Sequence, residues 1–330
     1  MLALSRSDLK RLVPMPEAIE LMKVAFAELS AGRAASPLRT VIDVNHDPSA
    51  MLIMPAYVPA ASSLGFKVVS FFGSNPGRQL PTIHALVCLI DHENGVPLAI
   101  MEGGYVTALR TGAVSGAATD LLARADAKTL VVIGAGVQGV TQAAAVCAVR
   151  PIERIIVVDS REEAFPRYRE SIGRDWPDLL DRVETTTDVG AAVRAADVVC
   201  TATTSKKPVF HDADLRPGTH VNGVGAFTPE MQEVPPETVV RATVVVDAVE
   251  AALAEAGDLI IPLRQGLIRK SDISRELGAV ATGSAQGRTT AEEITFFKSV
   301  GNAVQDVVVA RRAVDRAREF GIGTGIELGA

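Results

Sequence analysis

Apolar residues recur at two different rhythms along the 330-residue chain, and the change of rhythm divides it. Over residues 16–29 (PEAIELMKVAFAEL) they fall at helical spacing behind Pro16, and Gly32 follows as a stop. A shorter helix is predicted to open at Ser7-Asp8-Leu9. Beyond it, short runs predict strands over residues 39–44, 51–54, 64–72 and 83–90, with a turn at Gly73-Ser74-Asn75-Pro76-Gly77. Asn94-Gly95 is a hairpin signal that joins residues 83–90 to a partner over 96–102. Helices followed by successive antiparallel strands describe an α+β module.

Near Thr107 the pattern changes. A small-residue helix over residues 107–123 leads into strands over 129–133, 155–158, 183–186, 198–202, 220–224 and 243–247, with helices over 140–149 and 188–195 between some of them. Strands that are apolar throughout are buried on both faces, which predicts a parallel, doubly wound α/β sheet. Residues 289–320 read as one long helical pattern, interrupted at Gly301, that carries the chain back to the first module.

Length and composition narrow the classes. At about 150 residues per domain the chain predicts two domains. Hydrophobic residues at 48% against 22% charged supply a core, and a net charge of −6 with scattered Lys and Arg excludes a nucleic-acid or anionic-membrane partner. No stretch reaches the ~18 uncharged apolar residues of a membrane span. Arg6 also arrives before any signal-peptide core could form. Cys88, Cys147 and Cys200 lie far apart with no paired spacing. That speaks against a disulfide scaffold and for a cytoplasmic protein. No metal site is expected, since His46, His92, His211 and His220 show no ligand spacing.

The most specific local chemistry is Gly134-Ala135-Gly136-Val137-Gln138-Gly139, which follows the strand TLVVI and opens a helix. Gly134 permits a tight turn, Gly136 admits a pyrophosphate to the positive helix N-terminus, and Gly139 lets helix and strand pack closely. A second apolar strand ends at Asp159, whose carboxylate suits ribose hydroxyls and favours NAD; Ser160 and Arg161 after it leave a route for NADP. Thr201, Ala202 and Thr203, with Val224 and Gly225, end further strands where such sheets bind ligands. In the first module Arg39, Lys67 and Arg110 stand in apolar or small-residue settings without a local acid, which suits a carboxylate ligand. Burial would bring the Lys67 pKa toward neutrality and make it a proton relay. His84 is a second candidate donor, although the same position fits an ordinary half-buried histidine.

The segments GFKVVSFFGSNP, LPTIHALVCLID, GVPLAIMEGGYVTALRTGAVSGAAT, VVIGAGVQG, HVNGVGAFTPEMQEVP and EEITFFKSVGNAVQD together resemble the ornithine cyclodeaminase/μ-crystallin family. That family includes ketimine reductases and archaeal-type alanine dehydrogenases. The resemblance extends from about Arg39 to beyond Asp306. It implies a Rossmann-like dinucleotide-binding domain (residues 119–305) inserted into an α+β substrate-binding and dimerisation domain (residues 1–118 plus 306–330), assembled as a homodimer. It further implies that Arg39, Lys67, Thr82 and Arg110 surround the substrate carboxylate. Thr111, Thr201, Ala202, Val224 and the turn Ser299-Val300-Gly301 would border the cofactor.

One departure matters. Cyclodeaminases of the family carry an aspartate where this chain has Phe227, and a phenyl ring can neither accept a proton nor pair with an ammonium. Oxidative deamination of a diamine needs such a base, whereas a cyclic iminium needs mainly orientation and exclusion of water. Phe227 would also wall an aliphatic ring, and Glu102 and Glu230 are the carboxylates that could stand in for the aspartate. The expectation is therefore an NAD(P)H-dependent reductase of small cyclic α-imino acids such as Δ1-pyrroline-2-carboxylate or Δ1-piperideine-2-carboxylate. NAD(H) is favoured over NADP(H). The alternatives are an ornithine or lysine cyclodeaminase, an alanine-dehydrogenase-like enzyme acting on an α-amino acid, and a non-catalytic ligand-binding protein of the μ-crystallin type.

Overall fold

A computed structural model describes residues 1–44 and 49–327. The chain divides into two compact units, Met1–Arg110 with Asn302–Ala330, and Thr111–Gly301. His46 lies outside the described residues.

The first unit opens with β1 (Leu2–Leu4), α1 (Arg6–Leu12) and α2 (Met15–Ser30). Ser5 and Asp8 cap α1 reciprocally, which is why the helix starts at that point. An antiparallel ribbon follows: β2 (Thr40–Asp43), β3 (Ser49–Val58), β4 (Ser63–Phe72), β5 (Ile83–Ile90) and β6 (Pro97–Glu102). Then comes α3 (Gly103–Leu122), within which the boundary between the units falls. Glu102 accepts hydrogen bonds from the Gly104 and Tyr105 N–H groups, at 2.7 and 2.8 Å, and so caps α3.

The second unit is built on β7 (Thr129–Ile133), α4 (Val137–Val149), β8 (Arg154–Val158), α5 (Ala164–Asp175), β9 (Val183–Thr186), α6 (Val189–Ala195), β10 (Val198–Thr201) and β11 (His220–Gly223). It continues through α7 (Pro236–Arg241), β12 (Thr243–Val246), α8 (Val249–Glu255), α9 (Gly257–Arg264), α10 (Leu277–Ala281) and β13 (Thr295–Lys298). The chain then re-enters the first unit with α11 (Ala303–Phe320) and β14 (Thr324–Gly325).

The first sheet has the order β14-β1-β6-β5-β4-β3-β2 and the second β12-β13-β11-β10-β7-β8-β9. Every pairing in the second sheet is parallel. Its strand order reverses between β7 and β10, the switch point at which an open α/β sheet forms a ligand crevice. This is a Rossmann-like unit inserted, in sequence, into an α+β unit. Leu130, Val132, Val140, Ala143, Val146, Ile155, Val157, Tyr168 and Ile172 are fully or almost fully buried in its core.

One expected element is wrong. Residues 289–320 are not a single helical stretch, because Thr295–Lys298 is the strand β13, paired on both sides by β11 and β12. Four residues buried on both faces carry no alternation, so periodicity cannot separate them from a helix segment. α5 and α7–α10 also went unpredicted. They are mostly short, and α5 carries most of its polar residues on an exposed face.

The register of the first sheet fixes where Lys67 points. Met54, Lys67, Val87 and Met101 are successive cross-strand partners and share one face. All four are buried. α11 packs across β3, β4 and β5 on that side. His84 pairs with Ser70, belongs to the opposite face and is exposed, so it does not join Lys67. Among the described residues no helix is long and apolar enough to cross a membrane. Cys88, Cys147 and Cys200 are free thiols.

Candidate active site

A lysine in an apolar cross-strand row requires a partner, and the partner comes from the other end of the chain. Lys67 is 1% exposed, and its Nζ lies 3.0 Å from Asp306 Oδ1 and 2.9 Å from Oδ2. Asp306 sits in the first turn of α11, fully buried, where the helix dipole favours its negative charge. Arg110, on α3 and 7% exposed, brings its Nε to 3.4 Å from the same carboxylate. Its Nη1 donates to Gln305 Oε1 at 2.9 Å, and Gln305 Nε2 donates back to the Arg110 carbonyl at 3.3 Å. Gln305 Oε1 also accepts the Asn302 N–H at 2.8 Å, so the box that caps α11 simultaneously orients Arg110.

Two buried cations thus meet one buried carboxylate. Burial lowers the Lys67 pKa to about 8, helped by Arg110 and Arg39 and opposed by Asp306. Arg39 is half-buried just before β2, close enough for its charge to be felt at Lys67. Thr82 is half-buried just before β5, and its carbonyl accepts the Phe72 N–H at 2.8 Å. Gln305 and Asp306 were not singled out from sequence. Their signal was present: a polar pair inside the otherwise apolar run AVQDVVVA, the same kind of interruption that marks Lys67 on β4.

In the second unit the Gly-rich turn fits a dinucleotide. Gly134 has φ +111°, and a Cβ there would lie 2.6 Å from the Ala202 carbonyl oxygen at the end of β10. A Cβ on Gly139 would lie 2.2 Å from the Gly134 oxygen, so α4 can sit this close to β7 only without a side chain. A Cβ on Gly136, at the N-cap of α4, would meet nothing within 4 Å. This is the open ground above backbone N–H groups that a pyrophosphate needs. Val137 is exposed, Gln138 half-buried and Ala135 buried.

Asp159, just past β8, accepts the Ala135 N–H at 2.9 Å and the Arg161 N–H at 3.0 Å, while the Arg161 guanidinium stands 3.6 Å away. Ser160 and Arg161 are exposed. Thr201 is fully buried, while Ala202, Thr203, Val224 and Gly225 are partly open at neighbouring strand ends. Thr111 is buried, and its carbonyl accepts Gln142 Nε2 at 3.2 Å. Ser299, Val300 and Gly301 follow β13, all held by Asp247 Oδ2 at 2.8, 2.9 and 2.9 Å.

Phe227 is 47% exposed, which rules out simple core packing, and Glu230 is exposed beside it in sequence. His220 is fully buried between Thr295 and Asn222, and burial pushes its pKa down to about 3, so it is a neutral packing residue. Among the described residues no group of three or more His, Cys, Asp or Glu side chains could hold a metal ion.

A Rossmann-like unit with an intact dinucleotide turn, carried by a chain that also buries a cation cluster, defines a nucleotide-dependent enzyme class. The ornithine cyclodeaminase/mu-crystallin family model matches residues 1–321, and the chain belongs to that family. It is 42% identical over 332 residues to a Delta(1)-pyrroline-2-carboxylate reductase of Bacillus cereus, covering 99% of this chain and 100% of the relative. The structure of the Thermococcus litoralis Delta(1)-pyrroline-2-carboxylate reductase, in complex with NADH and L-proline, superposes with a TM-score of 0.93 at 42% identity. It covers 99% of this chain and 100% of that one. An archaeal alanine dehydrogenase, solved as a dimer with bound NAD, superposes at 0.91 with 32% identity, covering 100% and 99%.

The shared carboxylate makes an energetic statement that can be checked. Asp306→Asn removes the counter-charge from a buried ammonium and is expected to cost about 3 kcal/mol in urea unfolding. Combined with Lys67→Met, which matches the neighbouring Met54 and Met101, the loss should be smaller than the sum by at least about 1 kcal/mol. Additive losses would contradict the pairing.

Proposed function

We propose that this protein is an NADH-dependent reductase of small cyclic α-imino acids, converting Δ1-pyrroline-2-carboxylate to L-proline or its six-membered homologue to L-pipecolate. The observation that carries the reading is the buried pair of cations, Lys67 and Arg110, set against the single carboxylate of Asp306. Positive charge held in an apolar setting attracts an anion more strongly than it would in water. Gln305 holds the Arg110 guanidinium in place through Nη1, and guanidinium–carboxylate pairs are among the stronger charge-assisted contacts.

In this reading Arg110, Arg39 and Lys67 bind and orient the substrate carboxylate, with Thr82 as a further contact. Gly134 to Gly139, Asp159 and the strand ends at Thr201–Thr203, Val224–Gly225 and Ser299–Gly301 hold the dinucleotide. Bound there, a reduced nicotinamide supplies the hydride that the imine carbon accepts. A substrate that arrives as the iminium already carries its nitrogen proton. A neutral imine takes it from Lys67 Nζ, which is mostly protonated at pH 7 with a pKa near 8 and is then recharged from water. Phe227 presents an apolar face in place of a base, which suits a ring without a free amine. Asp159 would repel the additional phosphate of NADP, so NAD(H) is the cofactor of choice. We place the reaction in the cytoplasm, where free thiols stay reduced.

The chain is proposed to work as a homodimer joined through the open face of the first sheet. On that face Ile42 and Leu86 are exposed, and Met51, Ile53, Phe66 and Val68 are only partly covered. An apolar sheet face of this kind marks an association surface. Sedimentation should give twice the 34.7 kDa chain mass, and Val68→Glu should give monomers. A monomeric wild type would overturn the assembly.

The activity itself is tested by a matrix of NADH and NADPH against the five- and six-membered imines, pyruvate with ammonia, and L-ornithine. Turnover should be highest with NADH and a cyclic imine, and Arg110→Ala should lower kcat/KM by about 100-fold or more. Ammonia release from ornithine, or turnover confined to pyruvate, would overturn the assignment.

A further inference from the structure

Four adjacent strand ends on the carboxyl side of the second sheet are tied together by buried acids. Glu233, in the loop between β11 and α7, is fully buried. One of its oxygens accepts the Thr203 N–H at 2.6 Å and the Thr203 hydroxyl at 2.8 Å, just past β10. The other accepts the Gly225 and Ala226 N–H groups at 2.7 and 2.9 Å, just past β11. Asp258 accepts the Glu233 and Val234 N–H groups at 2.6 and 2.9 Å and pairs at 2.8 Å with Lys298, the last residue of β13. Asp247, past β12, holds Ser299, Val300 and Gly301.

Three backbone N–H groups and the Thr203 hydroxyl donate to the Glu233 carboxylate, an arrangement that suits the charged form, while burial and the neighbouring Asp258 push its pKa up. The two strand ends it joins are as close as backbone allows. A Cβ on Gly225 would lie 2.2 Å from the Thr203 carbonyl oxygen and 2.5 Å from Glu233 Oε1.

We propose that Glu233 is a positioning residue for the nicotinamide half of the dinucleotide, fixing the spacing of the Thr203 and Gly225-Ala226 strand ends through its doubly bridging carboxylate. This rests on the dinucleotide-dependent reading above. The four hydrogen bonds that Glu233 accepts all come from the ends of β10 and β11, whereas the Gly-rich turn after β7 meets that network only at Gly134, where Ala202 and Thr203 close in. The adenine and ribose half should therefore depend on Glu233 less than the nicotinamide half does. Glu233→Gln keeps the shape but sets an NH2 donor against two of the four existing donors, so one strand end must move or lose its partner.

The test is a calorimetric titration of the full-length protein with NADH and, separately, with ADP-ribose, which lacks the nicotinamide. Glu233→Gln is expected to weaken NADH binding by about tenfold while ADP-ribose stays within about twofold of wild type. Thr203→Val removes one donor with little change of shape and should give a smaller loss, about threefold, with the same selectivity for NADH. It carries the test if Glu233→Gln does not fold. Equal losses for both ligands, or NADH binding unchanged, would overturn the positioning role and leave the reductase reading intact. A wild type that binds neither ligand would overturn both.

Discussion

The Lys67–Asp306 pair closes a loop of 239 residues, and the cation cluster depends on it. A lysine in the row Met54, Lys67, Val87, Met101 has no reason to be charged unless an anion is delivered to it. The anion arrives on α11, after the whole nucleotide-binding unit has been made. Lys67 can then hold a proton while buried, Arg110 is drawn to the same carboxylate, and Gln305 fixes the guanidinium plane from the adjacent position on the helix. Remove Asp306 and the ammonium is driven toward neutrality and the guanidinium loses its nearest charge. The inserted topology is thus part of the chemistry: the two ends of the chain must meet for the cations to be held.

The two units solve opposite electrostatic problems. The first gathers Lys67 and Arg110 about the single buried carboxylate of Asp306, the arrangement on which the proposed binding of a small carboxylate rests. The second distributes buried carboxylates, Glu233, Asp258 and Asp247, among backbone N–H groups at its strand ends. Glu233 and Asp247 satisfy donors that a parallel sheet leaves over where its strands stop, and Asp258 holds the loop N–H groups of Glu233 and Val234. A carboxylate can do this for two neighbouring strands at once, which a shorter hydroxyl cannot.

Much of this was legible in the sequence, for identifiable reasons. The Gly134–Gly139 turn announces itself because three glycines at fixed spacing have few other uses between a strand and a helix. Lys67 and Arg110 stand out because a cation among apolar or small residues is costly unless used. β13 was hidden, since TFFK has no alternation and precedes a true helix. The carboxylates were also hidden. Asp306 and Asp258 acquire meaning only from partners 24 to 239 residues away, Glu233 also joins groups 7 and 30 residues away, and a single sequence gives no register for such pairings. His84 shows the converse error: a histidine in this apolar strand reads as a candidate donor, but cross-strand register puts it on the face opposite Lys67.

The central claim, a buried lysine whose proton is governed by Asp306 and by the substrate carboxylate, is open to direct observation. Lysine Nζ and Cε signals of isotopically labelled protein can be followed by NMR across pH, with Lys67→Met assigning the resonance. Without ligand, Lys67 should titrate near pH 8. With pyrrole-2-carboxylate, a planar non-reducible anion, the midpoint should rise, because a second negative charge favours the ammonium. A Lys67 that titrates at its ordinary value near 10.5 and ignores the anion would contradict the account.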